Sequence, residues 1–311
     1  MIKNYLKVAW RNLWRNKFFS TINIVGLGLG MACSILIILW VQNELSFDSF
    51  HAKGDRLYQV IERQYYDHKI MGQYSVPGVL ADEMKRALPQ VELATPMAWN
   101  NQNTFRVGTK IIKLEGNSAG ADFFKIFSYP LLQGKAETAL NSPLSIAISR
   151  KMAGEFFGSP QEAMGKTLRY ENKKDFTVTA VFEDLPHNVS TKFEFLINWY
   201  SFLEENKWAK DWGNNGPNAF IVLREGANAA VFDKKLAHFL DTYNKDQSAA
   251  FREQLGIQKF DQVYLHSNFK DGKPEEGRIE YVHLFSIIAV VILFIACINF
   301  MNLTTARSVK R

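Results

Sequence analysis

The chain of 311 residues has only two cysteines, Cys33 and Cys297, and both fall inside long uncharged apolar runs. The stretch between those runs has none, so a disulfide framework is excluded and the middle must fold on its own core. Its length is sufficient for one. Acidic residues are missing from both ends. All 31 lie between Glu44 and Glu280, whereas Lys3, Lys7, Arg11, Arg15 and Lys17 precede them and Arg307, Lys310 and Arg311 follow. Inside the acidic window 29 bases face 31 acids, so the formal net charge of +6 belongs to the ends. That distribution excludes a nucleic-acid-binding domain. Charged residues make up 22% of the chain, near ordinary globular usage, which excludes a disordered tail or a bundle buried wholly in lipid.

Signatures of chemistry are also missing. The histidines at 51, 68, 187, 238, 266 and 283 lack metal-ligand spacing, and neither a nucleophile elbow nor a zinc-protease helix motif occurs. Gly165-Lys166-Thr167 resembles the end of a phosphate loop, but Pro160 stands where that loop needs glycine, and a strand pattern follows. These absences predict a protein with no catalytic, cofactor-binding or metal site.

What the chain has is two long apolar runs. Residues 22–41 form 20 residues without a charge, and residues 284–301 form 18. At about 1.5 Å per residue the first reaches roughly 30 Å, the thickness of a bilayer's hydrocarbon core. It is too long for a signal h-region and lacks a small-x-small cleavage site, so it is expected to stay attached. Bases at both ends predict cytoplasmic termini and an extracytoplasmic middle. The expected organisation is a cytoplasmic amphipathic elbow helix (1–18), a first span (19–42), an extracytoplasmic α+β domain (43–282), a second span (283–303) and a cytoplasmic tail (304–311).

Lys3, Lys7, Arg11 and Arg15 recur every four residues and line one face of a helix, with Leu6, Trp10, Leu13 and Trp14 on another. That is the pattern of a helix lying on a membrane surface, its bases toward anionic headgroups. Gly26 and Gly30 are spaced for close helix approach, and Asn299 and Asn302 share a face that either meets another helix or sits in headgroup water. Glu44 and Asp48, four apart beyond the first span, either cap and orient a stalk or form a solvated face.

The middle reads as short alternating elements. Strands are expected at 56–63, 144–148, 193–197, 219–223 and 257–265. Helices are expected at 79–88, 121–127, 229–243 and from the Ser149 cap to 157. Hairpins are expected at 104–114 and 166–182. Asn188-Val189-Ser190 fits a glycosylation sequon on a surface turn, and Asp211 to Asn218 (DWGNNGPN) reads as a loop.

Several stretches together carry a family resemblance: NYLKVAWRNLWRNKFFSTINIVGLGLGMA from Asn4, ELSFDSFH from Glu44, and DRLYQV from Asp55. PLSIAISRKMAGEFFG from Pro143, GKTL from Gly165, FTVTAVFEDLP from Phe176 and IACINFMNLTTARSVKR from Ile295 complete it. The chain resembles the N-terminal portion of FtsX/MacB-like ABC transporter permeases of Bacteroidetes type, with a MacB-like periplasmic core domain. The resemblance implies a multi-pass inner-membrane permease, homo- or heterodimeric, coupled to a separate cytoplasmic ATPase that binds the ATP. It also implies transmission of nucleotide-driven motion to the exported domain, with efflux of peptides or antibiotics through outer-membrane partners. The family continues beyond the position of Arg311 into a coupling helix and further spans, so a truncated permease or fragment is expected. Two other classes share parts of the plan: a two-span sensor with an extracytoplasmic ligand-binding domain, and an exported hydrolase.

Overall fold

The computed structural model describes residues 2–15, 17–244 and 251–308; Lys310 and Arg311 lie outside the described residues. The side chains of Lys3, Asn302 and Arg307 also lie outside them. The chain forms two units, residues 46–277 and the combined ends 1–45 and 278–311. Helices α1 (Ile2–Arg15) and α2 (Lys17–Leu45) open it. The domain follows as β1 (Leu57–Tyr66), β2 (Lys69–Gln73), α3 (Leu80–Ala87), β3 (Val91–Met97), β4 (Asn101–Val107), β5 (Lys110–Ala119) and α4 (Phe123–Ile126). Next come β6 (Leu131–Gln133), β7 (Ser145–Ser149), α5 (Arg150–Phe157), α6 (Pro160–Ala163), β8 (Thr167–Tyr170), β9 (Lys174–Phe182), β10 (Phe195–Asn198) and α7 (Trp199–Glu205). It ends with β11 (Asn218–Leu223), α8 (Ala229–Leu236), β12 (Phe251–Lys259), α9 (Phe260–Val263), β13 (Asn268–Lys270) and β14 (Lys273–Glu276), before α10 (Arg278–Ser308).

Within the domain, β5, β4, β8, β9, β7 and β10 pair in that order, and β10 pairs again with β5, so six strands close a ring. The β7–β9 and β10–β5 pairings are parallel and the others antiparallel. Closure removes exposed strand edges. All six strands contribute to one buried cluster, including Phe105, Leu114, Ile146, Leu168, Phe176 and Phe195. From β5 the sheet runs on through β3, β11, β1 and β12 as an open arm.

Side-chain alternation builds three packed layers from these strands. Ala219, Ile221 and Leu223 of β11 face a cluster with Leu80 and Met84 of α3 and Phe232 of α8. Phe220 and Val222, pointing the other way, join a cluster with Phe123, Phe127, Phe182 and Phe260. In β9 the parity switches. Phe176 and Val178 point into the ring cluster, but so does Val181, because the register slips against β7 between Ile146 and Ala147. This bulge releases Thr179, whose hydroxyl bonds to Ala139 O and Ile146 O.

The α+β class expected from the sequence is the one found, with two apolar helices at its ends. Ser149 caps α5, its hydroxyl accepting from Met152 N at 3.0 Å. Two expected elements differ. The helix expected over 229–243 stops at Leu236 and resumes as a separate 3₁₀ turn, Phe239–Thr242, which turns Leu240 into the core. The strand expected over 257–265 instead occupies Phe251–Lys259, where it pairs with β1 from Tyr58 to Tyr66; Phe260 then starts a helical turn and enters the core.

Because Phe105 is fully buried among ring aromatics, 4.7 Å from Phe195 and 5.4 Å from Tyr170, truncation leaves a large void. Phe105→Ala is expected to cost about 3–5 kcal/mol, read as a lower urea midpoint of the domain by tryptophan fluorescence.

Candidate functional site: the helix seam and the exit turn

Helices α2 and α10 keep their apolar side chains outside. Over their most apolar 18 residues only 6% and 11% are buried, which is not how a soluble protein's core helix behaves. Their mutual contacts run in opposite directions along the two helices, so they are antiparallel. Gly26 faces Asn299, Gly30 faces Ala296, Ser34 donates to Ala289 O at 3.0 Å, and Trp40 meets Phe285 edge-on at 5.1 Å. A Cβ on Gly30 would lie 2.6 Å from that of Ala296, closer than carbon atoms allow, so the small residue sets the approach of the helices. Cys33 and Cys297 are free.

Glu44 closes the seam. It is 4% exposed and accepts two hydrogen bonds from Arg278, at 2.8 and 3.0 Å. Each charge stands at the end of its own helix that the macrodipole disfavours: an anion at the C-terminal end of α2, a cation at the N-terminus of α10. Antiparallel pairing reverses this, because each charge then meets the favourable end of the neighbouring helix. Gln42 to Leu45 gave no local signal for Arg278, which is 234 residues away.

Asp48, grouped with Glu44 as a stalk cap or a solvated face, lies in the domain unit and has its own partners. Its φ is +54°, a left-handed conformation that ends the exit segment in a tight turn. Its N–H donates to Asn188 O at 3.0 Å and its Oδ1 accepts from Ser190 N at 3.1 Å. Asn188 Nδ2 in turn donates to Ser46 O at 3.0 Å. The sequon, expected on a surface turn, also staples the exit segment. Phe47 stacks on Tyr264 at 3.9 Å.

Behind this turn His51 is buried among Phe50, Phe127, Tyr129 and Phe260, its Nδ1 accepting from Ser128 N. Burial lowers its pKa to about 4. Burial also raises the Asp48 carboxyl, against the hydrogen bonds from Ser190, and raises the Tyr129 hydroxyl, helped by the Asp48 charge.

Lys7, Arg11 and Arg15 are exposed along α1, with Trp10 and Trp14 each 66% exposed. The side chains of Lys3 and Asn302, assigned to the basic stripe and the span-packing face, lie outside the described residues. At the mouth of the strand ring a cleft of about 220 Å³ is lined by Asn101, Asn103, Asn117, Tyr170 and Asn206. Its amides are largely engaged within the protein: Asn117 with Asn100 and Ser118 N, Asn206 with Phe202 O and Trp208, and Asn103 with Tyr170. Among the described residues no three His, Cys, Asp or Glu side chains are grouped to hold a metal ion.

An α+β domain inserted between two long apolar helices defines a class, the membrane protein with a folded domain outside the bilayer. The model of the MacB-like periplasmic core domain matches residues 20–239, and the chain belongs to that family. A domain of a candidate permease protein from Porphyromonas gingivalis shares its fold at TM-score 0.58 and 21% identity, covering 75% of this chain and 98% of that one. The periplasmic region of MacB from Actinobacillus actinomycetemcomitans is similar at TM-score 0.45 and 14% identity, covering 66% and 90%. The extracellular domain of the noncanonic ABC-type transporter YknZ from Gram-positive bacteria is similar at TM-score 0.42 and 17% identity, covering 62% and 99%. Comparison with the curated proteins gives no match.

Two measurements probe these arrangements. Arg278→Ala removes two charge-assisted hydrogen bonds from the buried Glu44 carboxylate and is expected to lower the thermal stability of the full chain in nanodiscs by about 1–3 kcal/mol, discounted because Arg278 is half exposed. Adding Glu44→Gln should recover most of that loss. His51 titrates lower in the folded chain than unfolded, so its stabilising contribution is lost as pH falls from 6.5 towards 4. His51→Asn is expected to reduce the loss over that window by about 2–3 kcal/mol, read from urea midpoints at each pH.

Proposed function

We propose that the chain is the permease subunit, or part of one, of an ABC-type exporter that transmits ATPase-driven motion to its extracytoplasmic domain. The observation that carries this reading is a single folded domain inserted between two paired apolar helices, in a chain of the MacB-like family. A load carried by α2 and α10 together would be felt at both ends of the inserted domain, since the chain passes from each helix into it. The buried Glu44–Arg278 pair and the Gly30–Ala296 contact make the helices move as one body instead of sliding. The domain then acts by moving a partner or cargo and carries out no bond chemistry.

In this reading both termini are cytoplasmic and the basic face of Lys3, Lys7, Arg11 and Arg15 rests on anionic lipid. Gly26, Gly30, Asn299 and Asn302 pack the spans, and Glu44 and Asp48 set the exit from the membrane. A cytoplasmic ATPase binds the ATP, two permeases associate, and peptides or antibiotics are expelled with outer-membrane partners.

The test uses the full-length product in its native membranes. An ABC ATPase subunit is expected to co-purify, and a reporter inserted at Glu171, in the turn between β8 and β9, is expected to be active only outside the cytoplasm. A cytoplasmic signal at Glu171, or purification with no ATPase, overturns the proposal.

A further inference from the structure

Glu62 lies in the middle of β1 and has no exposed surface. Its two carboxyl oxygens are treated very differently. Oε1 accepts three hydrogen bonds, from Gln64 Nε2 at 2.8 Å, Gln73 Nε2 at 3.0 Å and Asn215 Nδ2 at 2.7 Å. Oε2 is buried with no partner among the described residues. A carboxylate spreads its charge over both oxygens and is solvated on both. Three donors on one oxygen and none on the other is the pattern of a neutral acid, whose carbonyl accepts while its hydroxyl looks for an acceptor.

That acceptor is present. Asn215 Oδ1 is buried and also lacks a partner, and it belongs to the same amide whose nitrogen already donates to Oε1. An acid and a primary amide pair through two bonds, N–H to carbonyl oxygen and O–H to amide oxygen. One proton on Oε2 would satisfy both orphaned atoms, each of which otherwise carries the cost of an unmade buried hydrogen bond. With the charged form, Asn215 Oδ1 would face an anion.

We infer that Glu62 is a proton-binding site, occupied in the folded domain, and that the bound proton latches the loop carrying Asn215 onto the sheet. The loop is DWGNNGPN, otherwise held to the strand side by a bridge between Pro77 and Asn215 and by bonds between Val76 and residues 216–217. It also carries Trp212, stacked on Tyr243 at 4.1 Å and lining a groove of about 710 Å³ with Val79 and Asp82 of the α3 region. The surroundings keep the proton on. The ionisable group acting on Glu62 is Glu253 of β12, another acid; the side chains bonded to it from β1, β2 and the loop are amides. Burial, with the Glu253 charge adding to it, raises the Glu62 carboxyl to about 7 against the three amide bonds. The sign follows: the latch is closed below about pH 7 and weakens above it, within the range an extracytoplasmic domain meets. This inference does not depend on the transport reading.

The test compares hydrogen exchange of the Val76 and Gly216 amides in the full chain, in nanodiscs, at pH 5.5 and 8.5. Glu62→Gln supplies an amide that donates to Asn215 at every pH, so it is the permanently latched reference, and comparison at the same pH cancels the intrinsic pH dependence of exchange. Exchange in the wild type is expected to match Glu62→Gln at pH 5.5 and to run on the order of 10-fold faster at pH 8.5. An equal ratio at both pH values overturns the proposal. Asn215→Ala, in a loop and less demanding on folding, is expected to exchange fast at both pH values. If it keeps the wild-type pH dependence after intrinsic correction, the latch is refuted.

Discussion

The helices α2 and α10 present apolar side chains to their surroundings over most of their circumference, and water is a poor solvent for that surface. Each exposed leucine- or phenylalanine-sized side chain left in water forgoes about 1.5–3 kcal/mol. Ile24, Leu29, Leu36, Val290, Phe294 and Ile298 are all exposed in this way. Lipid removes the penalty without covering the helices by protein, and the choice of surroundings fixes much else. Backbone polar groups there must be satisfied within the helix, so the elements are long and uninterrupted. Polar side chains there turn to the protein for partners, as Ser34 does on Ala289 O across the seam and Ser286 on Val282 O of its own helix. The hydrophobic effect no longer draws the two helices together, which leaves close packing at Gly30 and the Glu44–Arg278 pair to do so.

The domain solves a different problem, to hold a sheet of many short strands without a cross-link. Closing six strands on themselves gives an interior lined from every side, and the aromatic-rich layer of Phe123, Phe127, Phe182, Phe193, Phe220 and Phe260 ties that ring to the open arm. Because β11 faces one cluster with its odd residues and the other with its even ones, a single strand holds two cores in register. The bulge in β9 lets one strand serve two layers in succession.

The sequence was most legible where one interaction dominated over a long window. Twenty uncharged residues have few alternatives, and the Ser149 cap before an amphipathic turn or the Gly108-Thr109 hairpin are set by neighbours close in sequence. Strand β3 carries no such signal, because Glu92 and Pro96 interrupt its pattern and pairing with β11 and β5 makes it a strand. The end of β12 was misread because Val263, Tyr264 and Leu265 continue the apolar run, while the turn at Phe260 is dictated by the core it enters. Among the candidate residues, Gly26 and Gly30 carry a local signal, their spacing. Arg278, Asn188 and Asn215 carry none, since each acts on a residue more than a hundred positions away. Glu62 occupies an inward strand position that a periodicity argument would give to an apolar residue, and that mismatch is the one local sign of its role.

The staple between the exit segment and the 188–190 turn bears on how this protein can be produced. Asn188 heads an acceptor tripeptide for carbohydrate attachment, yet its side-chain nitrogen is committed to Ser46. An oligosaccharide on that nitrogen would replace one of its two hydrogens and set a bulky group against Ser46, which opposes closure of the Asp48 turn. A eukaryotic expression host that reached Asn188 before the domain closed would therefore yield a sugar-bearing chain unable to finish folding there, whereas one that acted afterwards would find the amide occupied.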